Sequence, residues 1–220
     1  MKLLDLRDCQ LGPKAVEIIS ETLKVNNALE TLHLTNNKFG DEGAKSIAKA
    51  LAINKSLLTI DLGGNDITKL GEAQISTAIQ LNNTLYMLDM SKCFGKFTGN
   101  NKIKGQDFAK GLKENKTLSL LEIGKNRIDA EGAKLLSQAI ALHPLLESVN
   151  LGFNWVRPEG GIALSKALAV NLKLIWVSFC ISSNNFLANG KLGTEGVVAV
   201  LEAVKGHSTL EHLDLCNTLD

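Results

Sequence analysis

Cysteine and histidine are the residue types in this sequence that most readily suggest chemistry, and most of them are isolated. The four histidines do not pair at helical spacing. The sequence contains none of the phosphate-loop, zinc-protease or nucleophile-elbow motifs that mark common enzyme sites. The run 62–65, LGGN, resembles a glycine-rich loop only in composition. We therefore predict no enzyme activity, no cofactor and no metal.

Cys180, Cys216 and His212 form the one grouping with metal-binding or disulfide potential. The two cysteines occupy equivalent positions in consecutive repeats of the chain, so they could be neighbours on adjacent parallel strands. Zinc needs four ligands, or three and a water, and His212 lies four residues from Cys216. We expect no site here. The sequence shows no secretion signal, so we interpret all four cysteines as free thiols in a reducing, cytoplasmic compartment.

The composition argues against several classes of protein. Of 220 residues, 45% are hydrophobic and 21% are charged, which is typical of a folded chain. No apolar run approaches the roughly 18 residues of a membrane span, so we expect no membrane association. The net charge is +1, from 24 basic and 23 acidic residues. A binder of nucleic acid usually has a basic excess, so we expect no nucleic acid as a partner.

A repeating pattern organises the whole chain. Residues 29–39 read LETLHLTNNKF, residues 57–67 read LLTIDLGGNDI and residues 118–128 read LSLLEIGKNRI. The template is L-x-x-L-x-L-x-x-N-x-φ, where φ is apolar. It starts at residues 1, 29, 57, 85, 118, 146, 174 and 210. We predict one domain over 1–220, made of seven repeats and the opening strand of an eighth.

The second half of each repeat has helical spacing. Gly43, Ile47 and Leu51, for example, fall on one apolar helix face. Each repeat is thus a strand, a turn and an amphipathic helix, and stacking of repeats buries a continuous core. The ninth template position should form a hydrogen-bonded ladder between neighbouring turns, with Cys9 and Cys93 as buried members beside four asparagines: Asn37, Asn65, Asn126 and Asn154.

These motifs resemble the leucine-rich repeats of the ribonuclease-inhibitor type. The 28-residue spacing, the Asn or Cys at position nine and the helix motif E-G-A-x-x-φ-A-x-A-φ at 42–51 and 131–140 carry the resemblance over essentially the whole chain. The resemblance implies an α/β fold, a right-handed leucine-rich-repeat solenoid or horseshoe with a parallel β-sheet on its concave face and helices on its convex face. Most members of the subfamily, including the sensor regions of NOD-like receptors, bind proteins.

The leading functional prediction is therefore a protein–protein interaction module, a scaffold or a recognition region. A GTPase activator resembling the one for Ran is the first alternative, since the repeats are unequal in length and residues 37–40 read NKFG. An actin regulator resembling tropomodulin is the second. Neither end shows a polar cap, so we expect a fragment of a longer array, monomeric unless its uncapped ends associate.

The fifth template position is mainly acidic and points out of the predicted concave sheet. Asp61, Asp89 and Glu122 occupy it in three successive repeats and should stack about 5 Å apart. Such carboxylates repel each other unless a cation or a basic partner lies across them. Two interpretations stand: an acidic groove for a basic surface, or a solvated polar face that keeps the array soluble.

Aromatic and apolar residues at other outward positions are candidate anchors for a protein partner, because exposed aromatics often anchor interfaces. The alternative is that they pack onto the neighbouring turn. Insertions near 91–101 and 182–190 should project from one rim, as recognition loops or as ornament. The candidates are Tyr86, Met87, Leu120, Phe153, Trp155 and Trp176, with Phe94 and Phe97 in the first insertion and Phe186 in the second.

Overall fold

The computed structural model describes residues 1–93, 105–180 and 191–219. Within these ranges, eight short strands alternate with seven helices. The strands are β1 (Leu3–Asp5), β2 (Thr31–His33), β3 (Thr59–Asp61), β4 (Met87–Asp89), β5 (Leu120–Glu122), β6 (Ser148–Asn150), β7 (Trp176–Ser178) and β8 (His212–Asp214). The helices are α1 (Gly12–Val25), α2 (Gly40–Leu51), α3 (Lys69–Leu81), α4 (Gln106–Glu114), α5 (Ala130–Leu142), α6 (Arg157–Val170) and α7 (Gly193–Val204). None of the described helices is both long and apolar enough to cross a membrane.

The strands form one open parallel sheet in chain order, β1 to β8. The residue at the third template position of each repeat pairs with the residue at the same position of the next repeat, as Leu3 pairs with Thr31. Paired residues are 28 apart in sequence, except for 33 between β4 and β5 and 36 between β7 and β8. The predicted α/β leucine-rich-repeat solenoid is confirmed.

The leucine columns of the template form the core between the sheet and the helices. Leu32, Ile60 and Leu88, at the centres of β2, β3 and β4, are fully buried, and so are Ile47 and Ile75 on α2 and α3. Burying a side chain of this size contributes about 1.5–3 kcal/mol. Because each helix and strand packs on its equivalents in the next repeat, the core is continuous along the array.

The predicted asparagine ladder is confirmed. The side-chain amide of Asn65 donates to the carbonyls of Leu34 and Leu62 at 2.8 and 2.9 Å, and its Oδ1 accepts from the backbone N–H of Asn37. Cys93 continues the ladder as a buried residue. The prediction that Cys9 is buried was wrong: Cys9 is exposed, because it follows the edge strand β1, and the described residues include no further turn on that side to cover it.

A second ladder, which the sequence analysis missed, runs along the C-terminal ends of the helices. Asn82 donates from its side chain to the carbonyl of Leu51 at 2.8 Å and accepts from the backbone N–H of Leu85 at 2.7 Å. His143 occupies the equivalent ladder position after α5. Its Nε2 is buried with no hydrogen-bond partner among the described residues. Burial lowers the pKa of His143 to about 4. The other members of the column are Asn26, Asn54, Asn115, Asn171 and His207.

Candidate functional site

The third and fifth template positions build the side of the sheet that faces away from the helices, which we call the open face. Side chains alternate across a strand, so these positions point away from the buried fourth position. From β2 to β6 the third and fifth residues are partly exposed and the central one is buried. Met87, Leu120 and the three predicted acidic residues therefore lie together on this face.

Asp61, Asp89 and Glu122 form a continuous acidic column on the open face. Asp89 is the register partner of Asp61 on one side and of Glu122 on the other. Asp61 is partly engaged, because the Thr35 hydroxyl donates to it and His33 Nδ1 lies 3.7 Å from its Oδ2. Asp89 and Glu122 make no ion pair with any residue that the structure describes.

Burial is the main cause of a raised pKa at both Asp89 and Glu122. The adjacent carboxylate adds to it: Asp61 raises the pKa of Asp89, and Asp89 raises that of Glu122. Hydrogen bonds from Ser91 to Asp89 and from Asn150 to Glu122 act in the opposite direction. The column is thus a half-buried strip of negative charge with an electrostatic cost, which a cationic surface would reduce.

The fifth position also has a local structural role, which the sequence analysis did not foresee. Its side-chain oxygen accepts from the backbone N–H two residues later, as Asp61 Oδ1 does from Gly63 at 3.0 Å. Asn150 does the same with Gly152 at 2.9 Å, and Ser178 performs this role without a charge as well. The turn therefore needs an acceptor but no negative charge, and the charge of the acidic column exceeds what the turn requires.

An apolar strip, formed by Leu58, Tyr86, Met87 and Leu120, runs beside the acidic column. Met87 and Leu120 are register partners on β4 and β5. Tyr86 is 44% exposed, and Leu58, at the same template position in the preceding repeat, is 42% exposed. Leu58 was not among the predicted candidates, although its shared column with Tyr86 was a usable signal. The strip places apolar side chains of three consecutive repeats next to three carboxylates.

Trp176 lies further along the same face. Its ring stacks on that of His212, with the centroids 5.5 Å apart and the planes inclined by 7°. Its other register partner is Ser148, whose partner in turn is Leu120. Trp176 is therefore separated from the apolar strip by one strand, and the structure does not join the two predicted groups into one contact surface.

Phe153 and Trp155 lie in the turn that follows β6, on the rim of the array rather than on the open face. Each ring faces a cation from the preceding repeat. Lys125 Nζ lies 4.4 Å from the centroid of the Phe153 ring, and Arg127 Cζ lies 5.3 Å from that of Trp155. Both aromatic side chains are half-buried. Part of each ring thus packs on the neighbouring turn, which the sequence analysis held open as an alternative.

Phe153 has a left-handed backbone conformation, with φ of 58°. Other residues at this template position share it, and they are small, polar or long-chained: Asp8, Asn36, Gly64, Lys92, Lys125 and Asn217. A left-handed conformation costs an L-residue about 1–2 kcal/mol and is uncommon for a bulky one. The turn geometry is common to the repeats, so the aromatic ring at 153 is not what shapes the turn.

Cys180 and Cys216 are neighbours, as their shared template position predicts. Asp214 joins them, and the donor atoms of the three residues all lie within 4.8 Å of one another. His212 is not part of this group, because its ring stacks on Trp176. Burial, with Cys216 and Asp214 adding to it, raises the pKa of the Cys180 thiol to about 12. Asp214 was missed, although its fifth template position was a usable signal.

Phe94, Phe97 and Phe186 lie outside the described residues, together with most of the first insertion and all of the second.

Comparisons with known proteins support the repeat assignment. A family model described as Leucine Rich repeat matches residues 25–48, 54–71, 114–137 and 143–165. The comparison with curated protein sequences gave no match. Among solved structures, the chain is similar to one titled Leiomodin-1 Actin-Binding Site 2, with 28% sequence identity and a TM-score of 0.51, over 64% of this chain and 81% of that one.

A second similar structure is the C-terminal domain of tropomodulin from Caenorhabditis elegans, with 14% identity and a TM-score of 0.52, over 86% of this chain and 91% of that one. At this identity the likeness shows the fold alone. The repeat matches, the eight-stranded parallel sheet and the buried ladder agree with one another. The chain is a leucine-rich-repeat protein with repeats of the ribonuclease-inhibitor-like type.

Proposed function

We propose that this chain is a protein-binding module whose partner contacts the open face from β3 to β7 and the rim beside it. The observation that carries the proposal is the acidic column, Asp61, Asp89 and Glu122, whose charge exceeds what the turns require. The apolar strip runs beside it. An apolar patch with charged surroundings is the usual composition of a protein interface.

The partner surface that fits the acidic column carries positive charge. Asp89 and Glu122 have raised pKa values in the free chain, because burial disfavours their charged forms. A lysine or arginine placed over them would favour the charged forms and offset the repulsion between the carboxylates. Such a partner should bind more weakly as the salt concentration rises, because the column is partly exposed.

Phe153 adds a second argument from energetics. An asparagine or a glycine would adopt the left-handed backbone conformation at 153 with less strain than phenylalanine does. Residues held at such a cost often serve binding rather than folding. Phe153 and Trp155, with the cations of Lys125 and Arg127 against their rings, would supply a mixed aromatic and basic contact on the rim.

Actin is the specific partner that one observation favours. The similar structure titled as an actin-binding site of leiomodin-1 shares 28% identity with this chain over 64% of its length. The GTPase-activator alternative stays a prediction that a hydrolysis assay would test. A binding module needs no catalytic residues, in keeping with the leucine-rich-repeat fold and the similar actin-binding structure.

The test uses purified monomeric actin and three forms of this chain. The first is the wild type. The second neutralises the acidic column with Asp61→Asn, Asp89→Asn and Glu122→Gln. The third removes the same number of charges from exposed helix positions with Glu42→Gln, Glu131→Gln and Glu159→Gln. We expect the wild type and the helix variant to bind actin with equal affinity, and the column variant to bind at least about tenfold more weakly, since loss of a close interfacial charge pair typically costs more than 1 kcal/mol.

Equal binding by all three forms would contradict the open face as the site. If none of them binds actin, actin is rejected as the partner. The same three forms would then be used as baits in a cytosolic extract, where the protein-binding proposal requires a protein retained by the wild type and the helix variant and lost by the column variant.

A further inference from the structure

We propose that Cys180, Asp214 and Cys216 form a binding site for a thiophilic divalent metal ion, with Zn²⁺ as the physiological candidate. Their donor atoms, two sulfurs and a carboxylate oxygen, all lie within 4.8 Å of one another. In a tetrahedral zinc site with Zn–S bonds of about 2.3 Å, two sulfurs lie about 3.8 Å apart. Small side-chain rotations therefore bring the three donors to coordination distance.

The parallel sheet is what assembles the three donors. Ser178 on β7 is the register partner of Asp214 on β8, so Cys180 and Cys216, each two residues further along, are brought side by side. Asp214 Oδ1 accepts from the backbone N–H of Cys216 at 3.0 Å, and Oδ2 accepts from the Ser178 hydroxyl at 3.2 Å. Ser178 thus orients the carboxylate in the way that outer partners orient ligands in metal sites.

The site is open to solvent within the part of the chain that the structure describes. Cys216 is exposed, and Cys180 and Asp214 are half-buried, so solvent reaches the group. Three protein ligands and a water complete the tetrahedral coordination that zinc adopts in open sites.

The chemistry of the group favours a metal over a disulfide. A disulfide between Cys180 and Cys216 would make no use of the adjacent carboxylate, whereas a cation bonds to both thiolates and the carboxylate. The side-chain amide of Asn217 lies 3.1 Å from Cys216 Sγ and donates to it, which helps to hold the sulfur in place. Thiolate ligands select zinc and related soft ions over Mg²⁺ and Ca²⁺.

Cobalt substitution tests the site, because Co²⁺ bound by thiolates absorbs in the near ultraviolet through sulfur-to-metal charge transfer. The fully reduced full chain would be titrated with Co²⁺, and Zn²⁺ would then be added to displace it. We expect one Co²⁺ per chain and loss of the absorption on adding one equivalent of Zn²⁺. Cys216→Ser should weaken Co²⁺ binding at least about 100-fold, because loss of a ligand should cost no less than the largest loss seen when an outer partner of a ligand is removed. Asp214→Asn should weaken Co²⁺ binding about 10- to 100-fold.

Cys9→Ser is the matched control, because Cys9 is an exposed cysteine at the opposite end of the sheet. It should bind Co²⁺ like the wild type. Cys216 is itself exposed, so its replacement by serine should leave the circular dichroism spectrum unchanged. The proposal is overturned if the reduced wild type shows no thiolate–cobalt absorption, or if Cys216→Ser retains it. It is also overturned if the reduced chain binds no metal and instead forms a Cys180–Cys216 disulfide on oxidation.

Discussion

Asp89 and Glu122 are register partners on adjacent parallel strands, and neither carboxylate forms an ion pair within the described part of the chain. With Asp61 on the other side of Asp89, three carboxylates form a column on the open face of the sheet. Within the described residues, the column holds negative charge at close spacing, and the charge of Lys92 offsets only part of it by lowering the pKa of Asp89. This arrangement has consequences for stability as well as for binding.

Neutralising these two residues should stabilise the free protein. Asp89→Asn with Glu122→Gln keeps side-chain hydrogen-bond acceptors and removes the repulsion, so the free energy of unfolding at pH 7 should rise by roughly 0.2–1 kcal/mol for each like-charged pair relieved. Urea denaturation followed by circular dichroism measures the difference. Glu42→Gln with Glu131→Gln, on exposed helix positions, is the control and should show no such gain.

The stabilisation by Asp89→Asn with Glu122→Gln should become smaller as the pH falls. Burial raises the pKa of Asp89 and Glu122 in the folded chain, so the folded state binds these protons more tightly than the unfolded state does. Acidification through the raised pKa values therefore favours the folded wild type and narrows its difference from the neutral variant. A variant that is less stable than the wild type at pH 7 would show that the charges contribute to folding.

Replacing Phe153 by asparagine should leave stability unchanged or improve it. The left-handed backbone at 153 costs about 1–2 kcal/mol for a bulky residue, and Asn36 and Asn217 have the same conformation at equivalent positions. The relief offsets the loss of contact between the Phe153 ring and Lys125, worth about 0.5–1 kcal/mol. Chemical denaturation checks this result. Phe179→Asn, at a buried position, is the comparison and should lose roughly 3–5 kcal/mol. A similar loss at 153 would mean that the ring is part of the core.

His143→Asn should stabilise the protein by completing the second ladder. By analogy with Asn171, which donates to the carbonyls of Ile140 and His143, an asparagine at 143 would donate to those of Leu112 and Asn115. Each neutral hydrogen bond contributes about 1 kcal/mol, and the buried, unpartnered Nε2 of His143 is removed. Thermal and urea denaturation at pH 7 measure the gain.

The benefit of His143→Asn should increase in acid. The pKa of His143 is about 4 in the folded chain against a usual 6.5, so the unfolded state takes up the proton first. The wild type should lose stability as the pH falls from about 6.5 towards 4, and the variant should lose less. His207→Asn is the matched control, because His207 already donates to the Asn171 carbonyl. An equal gain in the control would contradict the role assigned to Nε2.

The fold could be predicted from the sequence because a repeat requires only that similar residues recur at a fixed spacing. The ladder formed by Asn37 and Asn65 follows from that spacing, as does the open-face column that contains Asp61 and Asp89. The second ladder was equally available, since Asn54 and Asn82 are also 28 residues apart, but its residues lie at helix ends rather than within the leucine template.

The details of the candidate site could not be predicted, because they depend on distances between side chains rather than on template positions. Position alone did not reveal that Trp176 stacks on His212 or that Asp214 joins the two cysteines. Nor did it distinguish the open face, which holds Met87, from the rim, where Phe153 packs against a lysine. These features arise from the register of the strands and from the turn geometry.

The most direct test of the open face as the binding surface compares two sets of apolar truncations in a titration with the confirmed partner protein. One set is Tyr86→Ala, Met87→Ala and Leu120→Ala in the apolar strip beside the acidic column. The other is Ile18→Ala, Leu70→Ala and Leu135→Ala, at exposed apolar positions on the helices. We predict at least about a 100-fold loss of affinity for the first set, since interface anchors each cost 1–2 kcal/mol or more when truncated, and none for the second. Equal affinities of the two sets would contradict the proposal, and a larger loss from the helix set would contradict it and place the partner on the helical side.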